Sequence, residues 1–270
     1  MKVLRLNPPK LTVLKIGGSV ITEKSEELTP RMQDINRLAD EIKNAAIQNL
    51  VIVHGGGSFG HPVAQKYNIS SGFKEGNQQG FAETHHVMTV LNGLFMDALI
   101  WRGIPAISIT PSSCITTKKG RIQSFDEARF KALIKMGFLP VIYGDAVLDS
   151  ELGFTILSGD QLVAHIATRF DTGRIIIGVD VDGLCSADPK TEKTAKMYEH
   201  LTLAELKTLQ SQICKPMSCD VTGGMLGKMT ELLPAVEHGI PVMIVNAKKP
   251  NYIYKALKGE DVQGTLIEKE

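Results

Sequence analysis

The residues that could do chemistry are lysines and glycines placed where short apolar runs end. Lys15 is the last residue but one of the first such run, residues 12–16, and Gly17, Gly18 and Ser19 follow the run. Paired glycines let a ligand approach the backbone and expose N–H groups to an anion, while Lys15 supplies a fixed positive charge. The pattern fits a phosphate site, and a tight turn beside a surface lysine is the alternative.

A second glycine-rich segment, residues 55–61, follows the apolar run 50–53. It matches the dinucleotide fingerprint G-x-G-x-x-G only formally, because that motif normally follows the first strand of its unit and is completed by an acidic residue after the next strand. A glycine-rich strand end that leads into a helix is still an anion site. His61 lies just inside that helix and can donate to a phosphate, whereas His54 is expected to be a buried structural residue.

A third glycine-rich segment, residues 220–228, ends in Gly227 and Lys228. It is not a Walker A loop, because three residues rather than four separate Gly223 from Gly227, and Met229 stands where a hydroxyl residue would bind magnesium. A Gly-Gly turn into a helix that bears a lysine one turn later nevertheless suits a phosphate.

Two acidic residues complete the set of candidates. Asp160 precedes a predicted helix in the sequence Ser-Gly-Asp, where it can cap the helix or orient catalytic groups. Asp180 opens the sequence Asp-Val-Asp-Gly after a predicted strand. That sequence can be an ordinary β-turn, or it can contact a nucleotide or a metal ion.

The elements that must position these residues alternate between strands and helices. Apolar runs predict strands at residues 12–16, 50–53, 105–109, 139–143, 174–179 and 241–245. Amphipathic stretches predict helices at residues 32–47, 79–101, 125–136, 202–210 and 224–238. Residues 146–148 and 154–156 indicate a hairpin. The alternation predicts an α/β fold, a mainly parallel central sheet covered by helices on both faces, with two lobes on one continuous sheet.

Composition points to a soluble globular protein. The chain has 270 residues, 22% of them charged, with a formal net charge of +1, so neither a nucleic acid nor a membrane surface is expected as a partner. No apolar run approaches the roughly 18 residues of a membrane helix, and the N-terminus lacks the pattern of a signal peptide. The four cysteines are too irregularly spaced for a zinc site or a disulfide framework, which favours reduced thiols in the cytoplasm: Cys114, Cys185, Cys214 and Cys219.

Taken in order, these segments resemble the amino acid kinase superfamily. The sequences KIGGS, VHGGGSFGH, SGD, DVDG and DVTGGMLGK span residues 15–228. The GGGSFGH form with His61, the following HPVAQKY and the DVTGGM segment are most similar to isopentenyl phosphate kinases. Fosfomycin kinases can share this histidine, so His61 alone does not exclude them.

The resemblance implies a three-layer αβα sandwich formed by one domain, residues 1–270, and a homodimer. It implies an acceptor-binding half at about residues 1–157 and a nucleotide-binding half at about residues 158–270. Five residues are implied to be catalytic: Lys15, Lys24, His61, Asp160 and Lys228. Those implied to bind ATP are Lys15, Gly17, Gly18, Ser19, Gly57, Asp180, Gly223 and Lys228. The residues implied to hold the acceptor phosphate are Gly56, Gly60, His61 and Gly159.

The implied reaction is transfer of the ATP γ-phosphoryl group to isopentenyl phosphate, with Mg²⁺ carried by ATP and no dedicated protein cage for it. A phosphate monoester is already largely dianionic at neutral pH, so no general base is needed and catalysis is mostly positioning and charge neutralisation. The prenyl tail needs an apolar slot. Its candidates lie on the predicted helix 79–101, where a core-facing stripe is the alternative: Phe81, Met88, Leu91, Leu94, Phe95 and Met96.

Three other functions compete with this one. A second kinase of the superfamily would act on a carboxylate, a carbamate or a phosphonate. A regulatory protein would bind a nucleotide without turnover, which the full set of lysines disfavours. A Rossmann dehydrogenase would bind a nicotinamide cofactor.

Overall fold

The computed structural model describes residues 10–187, 189, 191–213 and 223–270, and the side chains of 212, 213, 223–226 and 228 are outside that description. Its strands are β1 Leu11–Ile16, β2 Leu50–His54, β3 Ala106–Ile109, β4 Ile115–Lys118, β5 Arg121–Phe125, β6 Leu139–Tyr143, β7 Asp145–Asp149, β8 Gly153–Leu157, β9 Thr172–Val179, β10 His200–Thr202, β11 Val242–Asn246 and β12 Gly264–Glu268. Its helices are α1 Gly18–Ile21, α2 Met32–Ala45, α3 Gly57–Lys66, α4 Gln78–Ile100, α5 Pro111–Cys114, α6 Glu127–Lys135, α7 Gly159–Arg169, α8 Leu203–Ile213, α9 Gly223–Glu237 and α10 Tyr252–Lys258.

The central sheet has eight strands in the order β10-β12-β11-β9-β1-β2-β6-β3. Its neighbours are parallel except at β11 and β12, which pair in opposite directions. β1 is buried along its whole length in the middle of the sheet, which is why its sequence is apolar without alternation. The mainly parallel sheet predicted from the sequence is confirmed.

Helices cover both faces of this sheet and complete the αβα sandwich. Residues of α1, α2, α3, α4 and α10 pack in one core cluster, and residues of α6, α7, α8 and α9 pack in the other. Successive side chains of β1 alternate between the two: Leu14 and Ile16 belong to the first cluster, and Val13 to the second. Lys15 shares the face of Val13, so its side chain lies on the side of α7.

A second, four-stranded sheet lies beside the first in the order β5-β4-β7-β8. The hairpin expected at residues 146–148 and 154–156 is its β7–β8 pair. The helix expected at residues 125–136 is wrong at its start, because Phe125 ends β5 and the helix begins at Glu127 after Asp126, whose carboxylate caps it. Helix propensity near Phe125 yields there to pairing of β5 with β4.

The other predicted elements are present with bounds that shift by at most three residues. Strands β4, β5, β10 and β12 were not predicted, since each has only three to five residues and a weak apolar pattern. Cys114 carries a free thiol, Cys185 is half-buried, and Cys214 and Cys219 lie outside the described residues. In the described part of the chain, no helix is both long and apolar enough to cross a membrane.

Candidate active site

A buried ion pair lies at the carboxyl ends of the central strands. The Nζ of Lys15 is 2.7 Å from Oδ1 of Asp160, and the two side chains are 4% and 13% exposed. Ser158 rather than Asp160 is the cap of α7, since its hydroxyl accepts from the backbone N–H of Gln161, so the capping role considered for Asp160 is wrong. The carboxylate is instead directed at Lys15.

The first two glycine segments touch each other. A Cβ on Gly18 would lie 2.1 Å from the backbone nitrogen of Gly57, and Gly57 itself has φ +51°, which favours glycine. Thr22 joins the two segments, because its hydroxyl donates to the carbonyl of Gly18 and accepts from the N–H of Ser58. Thr22 is fully buried and was missed in the sequence, where no motif marks it.

A cavity of about 130 Å³ opens between these segments and the start of α7. Eight of the predicted site residues line it: Lys15, Gly17, Gly18, Gly56, Gly60, His61, Gly159 and Asp160. Helices α3 and α7 both begin at the cavity, so the positive ends of two helix dipoles meet there. Two larger grooves of about 440 and 560 Å³ contain none of the predicted residues.

The cavity also has a mostly apolar wall. Met88, Ala64, Ile156 and Leu157 line it together with Thr84. Ala64 and Ile156 also pack against a small core cluster formed by Ile69, Ala146 and Phe154. The cavity lining therefore combines cationic and glycine residues with a mainly apolar wall.

Helix α4 contributes only part of its predicted apolar set to this wall. Met88 lines the cavity, and Phe81 packs against Phe154 in a tilted arrangement with ring centroids 4.9 Å apart. Leu91, Phe95 and Met96 are core residues, and Leu94 is half-buried away from the lining. The core-facing alternative is thus correct for most of the stripe.

Asp145 and His85 lie beside the apolar wall and were not singled out in the sequence. Asp145 lines the cavity, and its Oδ2 is 2.9 Å from Nδ1 of His85. Burial raises the pKa of Asp145 to about 6, and the neighbouring His85 opposes that rise. Only the distant pairing of α4 with β7 brings them together, so no sequence spacing could have revealed them.

His54 has the structural role predicted for it. The ring is fully buried, stacks on Tyr143 and places Nε2 3.2 Å from the amide oxygen of Asn92. Burial lowers the pKa of His54 to about 4, against the opposing effects of Gly55 and Asn92. His54 is therefore a neutral core residue under ordinary conditions.

Lys24 and Asp180 form a second ion pair outside the cavity lining. Lys24 Nζ is 3.1 Å from Asp180 Oδ2, with Lys24 63% and Asp180 11% exposed. Asp180 follows β9, and that strand adjoins the first glycine segment because the N–H of Gly17 donates to the carbonyl of Gly178. The pair therefore lies beside the first glycine segment, on the side of β9.

Three other predicted residues are not among the cavity residues that the structure describes: Ser19, Gly223 and Lys228. Ser19 lies half-buried in α1 and is not among the cavity residues. Gly223 is the first residue of α9, and Lys228 belongs to the same helix. The side chain of Lys228 and the segment 214–222 lie outside the described residues.

An open αβα sandwich with glycine turns, a buried lysine and helix N-termini at the carboxyl edge of its sheet defines a phosphate-handling enzyme. The chain belongs to the amino acid kinase family, whose sequence model matches residues 10–246. It is accordingly a kinase, a phosphotransferase.

Within that family the chain is similar to isopentenyl phosphate kinases. It is 42% identical to the isopentenyl phosphate kinase of Methanothermobacter thermautotrophicus over 95% of this chain and 98% of that protein. It is 36% identical to the enzyme of the same name from Methanocaldococcus jannaschii, over 96% and 98%. A solved isopentenyl phosphate kinase structure superposes with a TM-score of 0.84 at 39% identity, covering 95% of this chain and all of that one.

Proposed function

We propose that this protein transfers the γ-phosphoryl group of ATP to isopentenyl phosphate and releases isopentenyl diphosphate and ADP. The observation that carries the proposal is one cavity whose lining combines cationic and glycine residues with apolar ones. Lys15, His61 and the glycine turns suit a phosphate, and Met88 with Ile156 suits a short hydrocarbon tail. Similarity to isopentenyl phosphate kinases supports the same acceptor.

The size of the cavity agrees with a small acceptor. Its volume of about 130 Å³ is below the ~300–1,000 Å³ of pockets that enclose drug-sized ligands. Acceptors with a carboxylate or carbamate would leave the apolar wall without a partner. A hydrocarbon tail of a few carbons removes that wall from water and gains about 0.8 kcal/mol for each buried methylene.

The reaction needs charge neutralisation more than acid–base chemistry. A phosphate oxygen of the acceptor attacks the γ-phosphorus, the bond from that phosphorus to the β–γ bridging oxygen breaks, and ADP leaves with the bond's electron pair. The acceptor is largely dianionic near pH 7 because its second pKa is about 6. Two polyanions must therefore meet, and Lys15, buried against Asp160, supplies a fixed charge at their meeting point.

Different residues are proposed to serve the acceptor and the nucleotide. Gly56, Gly60, His61 and Gly159 hold the acceptor phosphate, with residues 1–157 as the acceptor half. Gly17, Gly18, Ser19, Gly57, Asp180, Gly223 and Lys228 bind ATP together with Lys15, with residues 158–270 as the nucleotide half. Lys24, now paired with Asp180, joins the catalytic set when the phosphates arrive.

Mg²⁺ is proposed to enter with ATP. The described residues contain no group of three or more His, Cys, Asp or Glu side chains that could hold a metal ion. Asp160 and Asp180 already face lysines, so they fit the role of orienting cations better than that of a cage. When bound, Mg²⁺ would neutralise part of the charge on the β- and γ-phosphates.

The assembly is proposed to be a homodimer in the cytoplasm, where ATP is supplied. Val90, Ile100 and Trp101 of the α4 region expose 43%, 51% and 87% of their surface. β3, the strand packed beside α4, is the edge of the eight-stranded sheet. A second copy placed here would cover both the apolar side chains and the strand edge. Light scattering after gel filtration measures the mass, which a Trp101→Glu change should reduce towards 29.4 kDa.

An acceptor panel with ATP tests the reaction. Isopentenyl phosphate, fosfomycin, carbamate and N-acetylglutamate are compared at equal concentration, with ADP release and the phosphorylated product both measured. The expected result is a kcat/KM for isopentenyl phosphate at least about a hundredfold above the others, because only it matches both the cationic and the apolar residues of the cavity lining. Preference for another acceptor, or ADP release without a new product, contradicts the proposal.

A further inference from the structure

The turn between β4 and β5 touches both halves of the molecule. Lys119 and Gly120 form this turn with φ of 50° and 75°, the backbone that suits a tight two-residue hairpin. Around the turn, side chains of β7, α7 and α9 make polar contacts with the hairpin. Each contact reaches a different part of the site.

The first contact fixes the hairpin to the acceptor side. The buried carboxylate of Asp149 accepts hydrogen bonds from the N–H groups of Lys119 and Gly120 at 3.1 and 2.8 Å. It also accepts from the N–H of Leu152 in the β7–β8 turn at 2.8 Å. These bonds hold the pKa of Asp149 far below its usual range, against the opposing effect of burial. Strand β8, which pairs with the β7 of Asp149, carries Ile156 and Leu157, and both residues line the cavity.

The second contact fixes the hairpin to the helix beside the ion pair. Gln161, 7% exposed, accepts from the N–H of Ile122 at 2.8 Å and donates to the carbonyl of Gly120 at 2.9 Å. It follows Asp160 directly in the first turn of α7. The β4–β5 hairpin is thus fixed by two buried side chains, Asp149 and Gln161, and can hold a third partner in a fixed position.

The third contact reaches the nucleotide half. Both terminal nitrogens of Arg121 donate to the two carboxylate oxygens of Glu231, at 2.7 and 2.8 Å. Glu231 lies on α9, three residues after Lys228 and so close to one turn further along. Exposed ion pairs usually contribute little to stability, but a two-pronged arginine–carboxylate pair fixes distance and direction.

We propose that the Arg121–Glu231 pair is a positioning clasp that sets the place of α9, and with it Lys228, relative to the acceptor half. Neither residue touches a substrate, and both act through the helix. α9 packs against α7 and α8 within its own half, and the clasp adds a contact with the hairpin that is bound to the acceptor side. The inference rests on the proposed role of Lys228 at the ATP phosphates.

The test compares Arg121→Ala, Glu231→Ala and the charge-swapped R121E/E231R protein with the parent. The matched control is Lys207→Ala, which removes another exposed ion pair of α9. The Nζ of Lys207 on α8 is 2.6 Å from Oε1 of Glu237 on α9, so this pair joins α9 to α8 and not to the hairpin. Affinity for ATP is measured by calorimetry without any acceptor, and kcat and both KM values are measured with isopentenyl phosphate. Because the calorimetry uses ATP without an acceptor, it measures the effect of the clasp on ATP affinity whichever acceptor the enzyme uses.

Each single clasp variant should weaken ATP binding and lower kcat by about tenfold, because a displacement of ~1 Å at a catalytic group is costly. The KM for isopentenyl phosphate and the unfolding temperature should stay near the parent values. The charge swap should restore most of the lost ATP affinity and kcat, and Lys207→Ala should change none of these quantities. Parent-like ATP affinity and kcat in the single variants, failure of the swap, or an equal effect of Lys207→Ala overturns the proposal.

Discussion

Lys15 on β1 and Asp160 on α7 face each other across the carboxyl edge of the sheet, with 2.7 Å between Nζ and Oδ1. The pair is possible because alternate residues of β1 point to opposite faces, which directs Lys15 towards α7. Ser158 caps that helix and leaves Asp160 in its first turn, aimed at the lysine. A buried lysine held in this way has a fixed position as well as a charge.

Replacing Lys15 by alanine should lower kcat by about 10²–10³-fold while changing the KM for the acceptor less than about threefold, because its charge acts on the group in transfer. Steady-state kinetics with both substrates measures the split. Lys10→Ala is the control, since Lys10 lies just before β1 at its other end and is 65% exposed. An effect of Lys15→Ala confined to KM would contradict the assignment.

Replacing Asp160 by asparagine should destabilise the fold by about 3–5 kcal/mol, because Lys15 is then left buried without its counter-ion. The double variant with Lys15→Met and Asp160→Asn should recover much of that loss, since no buried charge remains. Urea unfolding of the parent, both single variants and the double variant gives the coupling energy. Additive effects of the two changes would show that the ion pair is not the cause.

His61→Ala should reduce kcat/KM for isopentenyl phosphate by about 10- to 150-fold, the effect of losing a charge-assisted hydrogen bond of about 1.5–3 kcal/mol. The KM for ATP should remain unchanged, because His61 lines the cavity proposed for the acceptor. The unfolding temperature should also remain unchanged, because the side chain is exposed. His86→Ala, an exposed histidine of α4, is the comparison. Near-parental activity of the His61 variant would refute its place at the acceptor phosphate.

Much of this arrangement could be predicted because local sequence carries it. A glycine-rich turn after an apolar run indicates both a strand end and a candidate anion site, and Lys15, Gly18 and Gly60, which lie in or beside such turns, line one cavity. Tertiary contacts between distant segments could not be predicted in this way. Thr22 bridges the two glycine segments, and Asp145 meets His85 across 60 residues, with no pattern in the sequence to connect them.

The small sheet shows the same limit. The strands β4 and β5 are short, polar and stabilised mainly by partners such as Asp149 and Gln161, so periodicity alone did not identify them. The catalytic candidates could therefore be named from local sequence, whereas the β4–β5 hairpin that contacts α7 and α9 could not.

Two glycine variants should differ because of what a new Cβ would meet. Gly18→Ala places it 2.1 Å from the backbone nitrogen of Gly57, so the two glycine segments must separate, at a cost of more than about 3 kcal/mol and with loss of activity. Gly60→Ala places it 2.7 Å from the sulfur of Met88, a flexible side chain that can move within the cavity. That variant should fold normally and raise only the KM for the acceptor. Similar behaviour of the two variants in unfolding and kinetic assays would contradict this prediction.

The buried His54 should make the fold sensitive to acid. Its folded pKa of about 4 lies below its ordinary value of 6.5, so the folded protein holds it neutral while the unfolded chain takes up a proton as the pH falls. The contribution of neutral His54 to the free energy of unfolding is fully present above pH 6.5 and is lost as the pH falls towards 4. Between pH 7 and pH 5 the loss is about 2 kcal/mol.

Comparing the parent with His54→Gln isolates this effect, because Asp145, whose pKa is raised to about 6, changes stability in the opposite direction over the same range. The free energy of unfolding in urea is measured for both proteins at pH 7 and pH 5, with His86→Gln as an exposed control. His54→Gln should be less stable at pH 7, since its stacking on Tyr143 is lost, and its stability should fall by about 2 kcal/mol less than that of the parent on acidification. Equal falls in the parent and the His54 variant would mean that His54 is already protonated in the folded protein at pH 5.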